Sequence, residues 1–444
     1  MNKKTVKLII GVSMTLIMSG LMITGCGKNT SSEEVKEVKD SQEETTGGND
    51  KVELTYYSWN TEDAFLPEIW DAFNASQDRI HVNYISVPTG SSGDTYNEKL
   101  QVLLQAKGDI DFFGVQSVSD YSTFASHDML LEINDYIKEG DFDLSSIGSL
   151  ENQINFNGKY YGLPYSSTAW VMFYNKDIFD EEGLEYPGQM TWQEYADLCY
   201  QLTKQKEDGE QQWGTMFYSF GTNDTQFYSV QSGESLADDE IPNYKYGLDI
   251  LNQIFITKQS SMSYPELVSQ GTTNCFMMFA NGNVATSCSG TFDVAVFNTW
   301  KEQGEMDVNW DIAPLPVPEG VEPGTSFGTA SIACVAKNTE HPAEVYEALS
   351  YLAGSEAAKV IARVGNLPAN FTEEAQKIYR ENNEGINTDI IFNSKIQSEL
   401  PIHPASNDLV DAAKDQVELF LIGEKTEEET LEAFEMKRKE ILQR

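Results

Sequence analysis

The residues that follow the first predicted strand combine aromatic rings with short polar side chains. Apolar and polar residues alternate from residue 52 to residue 56, as in a half-buried strand, and Tyr57, Trp59, Asn60 and Asp63 come next. An indole ring can cover the apolar face of a ligand, while amide and carboxylate groups exchange hydrogen bonds with its hydroxyl groups. This combination predicts a binding site for a neutral, hydroxylated molecule. The alternative, in which Trp59 is a core residue, stays open.

A later strand is followed by a similar pair of residues. Residues 213–218 have the composition of a strand, and Phe220 and Asn223 come soon after its end. In open α/β sheets, ligands bind beyond the carboxyl ends of the strands. We therefore expect these two residues to add ligand contacts from a second part of the chain.

The titratable residues form no catalytic or metal-binding motif. The four histidines, His81, His127, His341 and His403, lie outside any zinc or catalytic-triad pattern. With 70 acidic residues, some carboxylate pair is always present, so a secreted glycosidase remains an alternative with little support. The sequence has no His/Cys cluster and no glycine-rich phosphate loop. We predict no catalytic residue, no metal site and no cofactor.

The charge of the chain restricts its partners. The formal net charge is −40, and loss of the three basic residues Lys3, Lys4 and Lys7 with a leader peptide gives −40 − 3 = −43. Nucleic-acid-binding proteins need a positive surface, so this class is excluded. Anionic ligands are disfavoured by the same field, which leaves a neutral ligand as the best fit.

The first fifty residues predict export and a lipid anchor. A basic start is followed by an apolar stretch from residue 8 to residue 23, as in a secretory signal peptide. Cys26 directly follows Ile23-Thr24-Gly25, and this order resembles the bacterial lipobox, in which the cysteine is lipidated after cleavage. Residues 26–50 are polar and acidic, typical of a disordered tether. The predicted chain is therefore held at the outer face of the membrane by Cys26 rather than spanning the membrane.

The remaining length predicts two domains. From Lys51 to the end there are 444 − 50 = 394 residues, more than one ordinary core accommodates. Beyond Cys26 the chain has four cysteines, and we interpret them as buried small residues: Cys199, Cys275, Cys288 and Cys334. Whether Cys275 and Cys288 form a disulfide stays open.

The hydrophobic pattern predicts an α/β fold. Strand, helix, strand, helix and strand patterns follow one another from residue 52 to residue 115, which indicates a parallel sheet with right-handed crossovers. Asn157-Gly158 predicts a small hairpin, and Thr191 with Glu194 predicts a capping box. Residues 310–317 resemble a strand interrupted by prolines, which we interpret as a segment crossing between domains.

Six short motifs, in this order, resemble those of the extracellular solute-binding proteins of family 1, the carbohydrate receptors of ABC importers. The resemblance as a whole extends over essentially the whole mature chain. The motifs are Asn157-Gly158-Lys159-Tyr160-Tyr161-Gly162-Leu163-Pro164, Tyr174-Asn175-Lys176-Asp177-Ile178-Phe179, Met190-Thr191-Trp192-Gln193-Glu194, Phe279-Ala280-Asn281-Gly282-Asn283-Val284-Ala285 with Gly290, Asp311-Ile312-Ala313-Pro314-Leu315-Pro316, and Asn366-Leu367-Pro368-Ala369.

The resemblance implies a type II periplasmic-binding-protein fold with two lobes and a ligand cleft between them. The predicted boundaries are 51–164 plus 311–355 for lobe 1 and 165–310 plus 356–444 for lobe 2, after a signal peptide at 1–25 and the tether at 26–50. By analogy with the family, further cleft residues are Gln116, Thr168, Trp170, Gly290, Phe292 and Asp293. Phe327 and Asn366 are added because they lie near the remaining crossings between the lobes. The family more often has tryptophan where this chain has Phe292.

The predicted function is the capture of a mono- or oligosaccharide outside the cell by a monomer that delivers it to an ABC-type permease by cleft closure. Three alternatives stay open: the same fold with a peptide or other solute, the same fold serving a membrane sensor, and the glycosidase mentioned above. The identity of the sugar does not follow from these residues.

Overall fold

The computed structural model describes residues 51–88, 94–140, 142–207, 209–217, 223–269 and 275–443. Its main strands form two mixed sheets, and helices pack against each sheet. The strands are β1 Val52–Trp59, β2 Ile80–Val87, β3 Phe112–Val115, β4 Gly162–Ser167, β5 Trp170–Asn175, β6 Lys204–Gln205, β7 Gln211–Phe217, β8 Val284–Gly290, β9 Trp310–Ala313, β10 Thr325–Gly328, β11 Ala330–Val335, β12 Leu367–Pro368 and β13 Lys395–Ser398.

The helices lie between these strands and after them. They are α1 Leu66–Ser76, α2 Asp94–Gln105, α3 Val118–Ser126, α4 Asn134–Glu139, α5 Glu151–Ile154, α6 Lys176–Glu182, α7 Trp192–Leu202, α8 Asn223–Gln231, α9 Tyr244–Leu251, α10 Tyr264–Ser269, α11 Cys275–Ala280, α12 Phe292–Gln303, α13 Pro342–Leu352, α14 Ser355–Arg363, α15 Glu373–Asn382, α16 Asp389–Phe392, α17 Ser406–Leu421 and α18 Glu427–Leu442. Short 3-10 segments cover Asn60–Ala64 and Leu144–Leu150, and a π-helical turn, Asn252–Thr257, continues α9.

The first sheet has the order β12-β4-β11-β3-β1-β2 and forms the first lobe. Strand β1 pairs in parallel with both β2 and β3, as the alternating strand and helix patterns predict. Strand β11 comes from much later in the chain and pairs antiparallel with β3 and β4. Sequence periodicity does not encode this pairing, because both partners are distant from β11 along the chain.

The second sheet has the order β6-β7-β8-β5-β9 and forms the second lobe, with the β10–β13 pair beside it. Strands β7 and β8 are parallel, whereas β5 pairs antiparallel with β8 and β9. Each lobe has its own apolar core, and Tyr56, Phe112 and Ile332 are fully buried in the first, whereas Phe173 and Ile254 are fully buried in the second.

Two segments that cross between the lobes lie side by side at residues 168–169 and 328–329. The backbone N–H of Thr168 donates to the carbonyl of Thr329 at 2.9 Å, and the N–H of Thr329 donates to Oγ1 of Thr168 at 3.2 Å. A β-carbon on Gly328 would lie 1.9 Å from the carbonyl oxygen of Thr168, so only glycine permits this approach.

The interpretation of the proline-containing segment as a crossing is wrong. Strand β9 pairs with β5, and Leu315 is buried in the core of the second lobe. The prolines follow β9, which is an edge strand, so their missing N–H groups remove no hydrogen bond between strands. The chain crosses between the lobes later, at Gly328. The predicted boundary at residue 356 falls in α14, whose Ala357 packs in the first core and Ala358 in the second. The predicted return to lobe 1 at residue 311 falls inside β9 and is therefore too early, whereas the remaining lobe boundaries stay predictions.

Local signals agree with the structure in most places. The predicted capping box of Thr191 with Glu194 forms at α7, and a second capping box, Thr426 with Glu429, begins α18. Asn157-Gly158 makes a tight turn with a positive φ at Gly158, but a single bridge pairs the residues that flank it instead of a hairpin.

A buried arginine attaches the C-terminal helix to the second lobe. Arg438 of α18 is fully buried and donates to the backbone carbonyls of Leu236, Asp238 and Asp239. Its charge is balanced by Glu435, one turn earlier on the same helix. These contacts explain how a guanidinium group is accommodated in an apolar cluster.

Candidate functional site

A cleft of about 570 Å³ lies between the lobes, next to the crossing segments. Its walls come from the chain after β1 and from the first turns of α12, and its floor comes from the ends of β4, β11 and β12. The lining residues are Trp59, Thr61, Glu62, Ala64, Phe65, Ser166, Ser167, Thr168, Thr291, Phe292, Ala295, Val296, Thr299, Trp300, Ser331, Val364, Asn366 and Leu367.

The wall from the first lobe presents a tryptophan and a buried carboxyl group. Trp59 is 6% exposed and packs edge-on against Tyr96, so only a small part of its ring reaches the cleft. Glu62 is 4% exposed and accepts hydrogen bonds at Oε2 from the hydroxyl groups of Ser58, at 2.5 Å, and Tyr165, at 2.7 Å. Burial raises the pKa of Glu62 to about 8, although these two hydrogen bonds act in the opposite direction.

The wall from the second lobe is largely aromatic and aliphatic. Phe292 and Trp300 are both partly exposed and line the same face of α12, two turns apart. The Phe292 ring folds back over Gly290, where a β-carbon would lie 2.2 Å from Cε1 of the ring. Glycine at residue 290 therefore determines the position of this ring. Thr291 connects the wall to the crossing segment, because its backbone N–H donates to the carbonyl of Ala169 at 2.9 Å.

A second buried carboxyl group, Asp293, lies behind this wall. It is 1% exposed, and its Oδ2 accepts a hydrogen bond from the Ser289 hydroxyl at 2.5 Å. Its Oδ1 has no hydrogen-bond partner among the described residues. Burial raises the pKa of Asp293 to about 7, against the effect of the Ser289 hydrogen bond. The spacing of four residues between serine and acid is the same as for Ser58 and Glu62.

The floor of the cleft is polar and uncharged. Ser166, Ser167 and Ser331 line it with hydroxyl groups, and Asn366 adds a side-chain amide. Glu62 is the one ionisable side chain among the described lining residues. Aromatic walls, hydroxyl and amide groups and little charge together suit a neutral ligand with apolar faces and hydroxyl groups.

Four of the residues predicted from the sequence line this cleft together: Trp59, Thr168, Phe292 and Asn366. Gly290 and Asp293 lie directly beside it and support Phe292 from below and behind. Whether any of these residues contacts a ligand stays a prediction.

Other predicted residues do not line the cleft. Asp63 accepts hydrogen bonds from Tyr84 and Ser86 at the surface beside β2. Trp170 and Phe327 are buried with their ring centres 5.2 Å apart, and Nε1 of Trp170 donates to Glu399 at 3.1 Å. These two rings belong to the packing of the second lobe.

The last five predicted residues have varied positions. The ring of Tyr57 faces the ammonium group of Lys99 at 5.5 Å, Asn60 is exposed, and Gln116 is half-buried directly after β3. None of these three is part of the described lining. Asn223 begins α8, and Phe220 lies outside the described residues.

Sequence reasoning missed most of the lining residues, including Trp300 and Glu62. Trp300 lies on α12 with Val294 and Phe297, but only those two are fully buried, and Trp300 reaches the cleft. Phe292, Val296 and Trp300 are spaced by four residues and form a second apolar stripe on this helix. This spacing could have indicated that Trp300 lines the cleft with Phe292. Glu62 had no such signal, because an acidic residue next to Asp63 looks solvated in the sequence.

Three further observations concern chemistry and membranes. Among the described residues, no group of three or more His, Cys, Asp or Glu side chains is close enough to bind a metal ion. Cys288 is a free, buried thiol, and the side chain of Cys275 lies outside the described atoms. No helix in the described part of the chain is both long and apolar enough to span a bilayer.

Comparison with known proteins identifies the family. The model of a bacterial extracellular solute-binding protein matches residues 57–359, which is more than half of the chain. The chain belongs to this family. It is also 23% identical over 402 residues to a protein of Brucella abortus (strain 2308) named as a binding protein, covering 85% of this chain and 89% of that one.

Solved structures show the same fold. A sugar transporter of Rhizobium etli in an open conformation has a TM-score of 0.78 at 21% identity, covering 87% of this chain and 99% of that one. An ABC substrate-binding protein of Listeria monocytogenes in complex with cycloalternan has a TM-score of 0.71 at 23% identity, covering 89% and 99%. The predicted two-lobed α/β fold with a cleft between the lobes is confirmed.

Proposed function

We propose that this protein captures a carbohydrate in the cleft between its lobes and delivers it to an ABC-type permease. The observation that supports this most is the lining of the cleft, in which partly exposed Phe292 and Trp300 face a floor of serine hydroxyl groups and the Asn366 amide. Two proteins of the same fold support the ligand class, the Rhizobium etli sugar transporter and the Listeria monocytogenes protein with bound cycloalternan.

The chemistry of the lining favours a sugar over other solutes. Aromatic rings pack against the C–H faces of a pyranose, and hydroxyl and amide groups exchange hydrogen bonds with its hydroxyl groups. A peptide or amino acid brings charged ends that need partners of opposite charge, and the described lining contains no basic side chain. A cleft of about 570 Å³ has room for an oligosaccharide of a few rings.

The crossing segments give the cleft a way to close. Segments 168–169 and 328–329 are hydrogen-bonded to each other and form a short paired connection about which the lobes can rotate. A ligand that contacts Phe292 on one wall and Trp59 on the other favours the closed form by its differential affinity. In the proposed role, lipidated Cys26 holds the protein at the outer face of the membrane, where the closed monomer meets the permease.

A thermal-shift screen tests the ligand class. The full-length chain in detergent is heated with a panel of maltotriose, mannotriose, arabinotriose, mannitol, a tripeptide and zinc chloride. Binding to the native state raises the melting temperature by mass action, about 2.7 kcal/mol at a ligand concentration of a hundred times Kd. We expect a shift with at least one carbohydrate and none with the tripeptide or zinc.

Two matched variants locate the site. Trp300→Ala removes an aromatic ring from the cleft wall, whereas Tyr200→Ala removes a ring that is 60% exposed on α7 and does not line the cleft. The carbohydrate shift should decrease in Trp300→Ala and persist in Tyr200→Ala. A shift with the tripeptide or zinc alone would exclude the proposed ligand class, and an unchanged shift in Trp300→Ala would exclude the proposed site.

A further inference from the structure

The chemical state of Glu62 is the feature of the cleft that the proposed function leaves unexplained. This carboxyl group lines a cleft whose other described lining residues are uncharged, and it is 4% exposed. None of the described salt bridges involves it. A carboxylate with so little solvent and no cation is costly, so burial favours the neutral acid.

The hydrogen bonds of Glu62 indicate which oxygen carries the proton. The hydroxyl groups of Ser58 and Tyr165 both donate to Oε2, so this oxygen acts as an acceptor. In a neutral carboxylic acid, one oxygen accepts and the other carries the acidic hydrogen. The proton therefore belongs on Oε1, which has no hydrogen bond among those described. Since Glu62 lines the cleft, a ligand oxygen can accept from this group.

We propose that Glu62 binds the ligand as a neutral acid, with Oε1–H donating to a ligand oxygen, so that ligand capture requires a proton. This inference rests on the proposed function, because it concerns a neutral ligand in the same cleft. It makes Glu62 a specificity-determining residue: a ligand that offers a hydroxyl or ring oxygen is accepted, while an anion has no cationic partner among the described lining residues.

The tyrosine neighbours of Glu62 do not titrate in the pH range over which Glu62 ionises. Four buried or half-buried tyrosines surround it from β1, β2, α2 and β4, and burial raises the pKa of each above its ordinary value. The carboxylate of Asp63 is exposed and raises the pKa of Glu62 slightly further. The groups that face Glu62 are Tyr56, Tyr84, Tyr96, Tyr165 and Asp63.

The expected pH dependence follows from the pKa of Glu62, which burial raises to about 8. If only the neutral acid binds, the ligand dissociation constant is constant well below this pKa and increases above it, by about tenfold between pH 7 and pH 9. At pH 9, binding should take up about one proton, because most free molecules are ionised there. A carboxylate that accepts hydrogen bonds from ligand hydroxyl groups would give the opposite sign.

Titration calorimetry on the full-length chain tests this. The probe is the carbohydrate that gives the largest thermal shift in the screen, titrated at pH 7 and pH 9 in buffers of different ionisation enthalpy. Wild type should bind about tenfold more weakly at pH 9 and take up about one proton. Glu62→Gln keeps a neutral side chain of the same size and should have the same dissociation constant at both pH values, whatever its absolute affinity.

A matched control uses a carboxyl group outside the cleft. Glu234 is partly buried, which also raises its pKa, and it accepts hydrogen bonds from Asn243. In Glu234→Gln, the carbohydrate dissociation constant should still increase about tenfold between pH 7 and pH 9. Carbohydrate binding without proton uptake, or a Glu62→Gln variant that keeps the tenfold change, would overturn this inference and leave the proposed function intact. If no carbohydrate in the panel binds at either pH, both are overturned.

Discussion

The buried carboxyl group of Asp293 should make the stability of the second lobe depend on pH. In the folded protein this group is 1% exposed, its single described hydrogen bond comes from Ser289, and burial raises its pKa from 3.8 to about 7. An acid with a raised pKa in the folded state binds protons there more tightly than in the unfolded chain. The free energy of unfolding therefore falls as the pH rises from the unfolded pKa to the folded one.

The magnitude follows from the two pKa values. A pKa difference of about three corresponds to about 4 kcal/mol in total, and about 3 kcal/mol of this should be lost between pH 5 and pH 9. Asp293→Asn removes the titrating proton and keeps an oxygen that can accept from Ser289. Between pH 5 and pH 9, the free energy of unfolding of the variant should therefore decrease by about 3 kcal/mol less than that of wild type. The variant should be the more stable protein at pH 9.

Urea unfolding at pH 5, 7 and 9, followed by circular dichroism, measures this difference. Asp197→Asn is the control. Asp197 is exposed, and its hydrogen bond from Lys258 lowers its pKa, so ionisation of this carboxyl group stabilises the folded protein instead of destabilising it. Parallel curves of unfolding free energy against pH for wild type and Asp293→Asn would refute the reasoning. They would mean that the carboxyl group is hydrated or paired with a cation in solution.

Three further substitutions test the geometry of the cleft and its supports. Gly328→Ala places a β-carbon 1.9 Å from the carbonyl oxygen of Thr168 and should reduce the compaction on ligand binding, measured by small-angle scattering. Gly290→Ala should displace the Phe292 ring and weaken carbohydrate binding in calorimetry, with a melting temperature close to that of wild type. Arg438→Met leaves three buried carbonyl groups without their donor and should lower the free energy of unfolding by about 3 kcal/mol in urea. An unchanged scattering curve, an unchanged dissociation constant and an unchanged urea midpoint, respectively, would contradict these expectations.

The local elements of the fold could be predicted because their signals lie within short stretches of sequence. Alternation in β1 and the capping box of α7 each depend on residues a few positions apart. The pairing of β11 with β3 and β4 could not be predicted in this way, since its partners are more than 150 residues away along the chain. The crossing at Gly328 was missed for the same reason, because the close approach to Thr168 exists only in three dimensions.

The candidate site was predictable where a residue follows directly from a strand end. Trp59 lines the cleft for that reason, since β1 ends there, and Thr168, which was predicted by analogy with the family, directly follows β4. Trp170 was placed in the site by analogy, but it lies inside β5 and its ring points into the second lobe. Glu62 could not be predicted from the sequence, where it looks like an ordinary solvated acid. Its burial depends in part on Tyr165 from the distant strand β4, which donates a hydrogen bond to it.

Equilibrium dialysis tests the central claim most directly. The full-length chain is dialysed at pH 7 against the radiolabelled carbohydrate that gave the largest thermal shift, in parallel with Trp300→Ala and Tyr200→Ala. We expect one bound carbohydrate per chain for wild type and Tyr200→Ala, and much weaker binding for Trp300→Ala. Absence of carbohydrate binding by wild type, or equal binding by Trp300→Ala, would contradict the claim that this cleft captures a sugar.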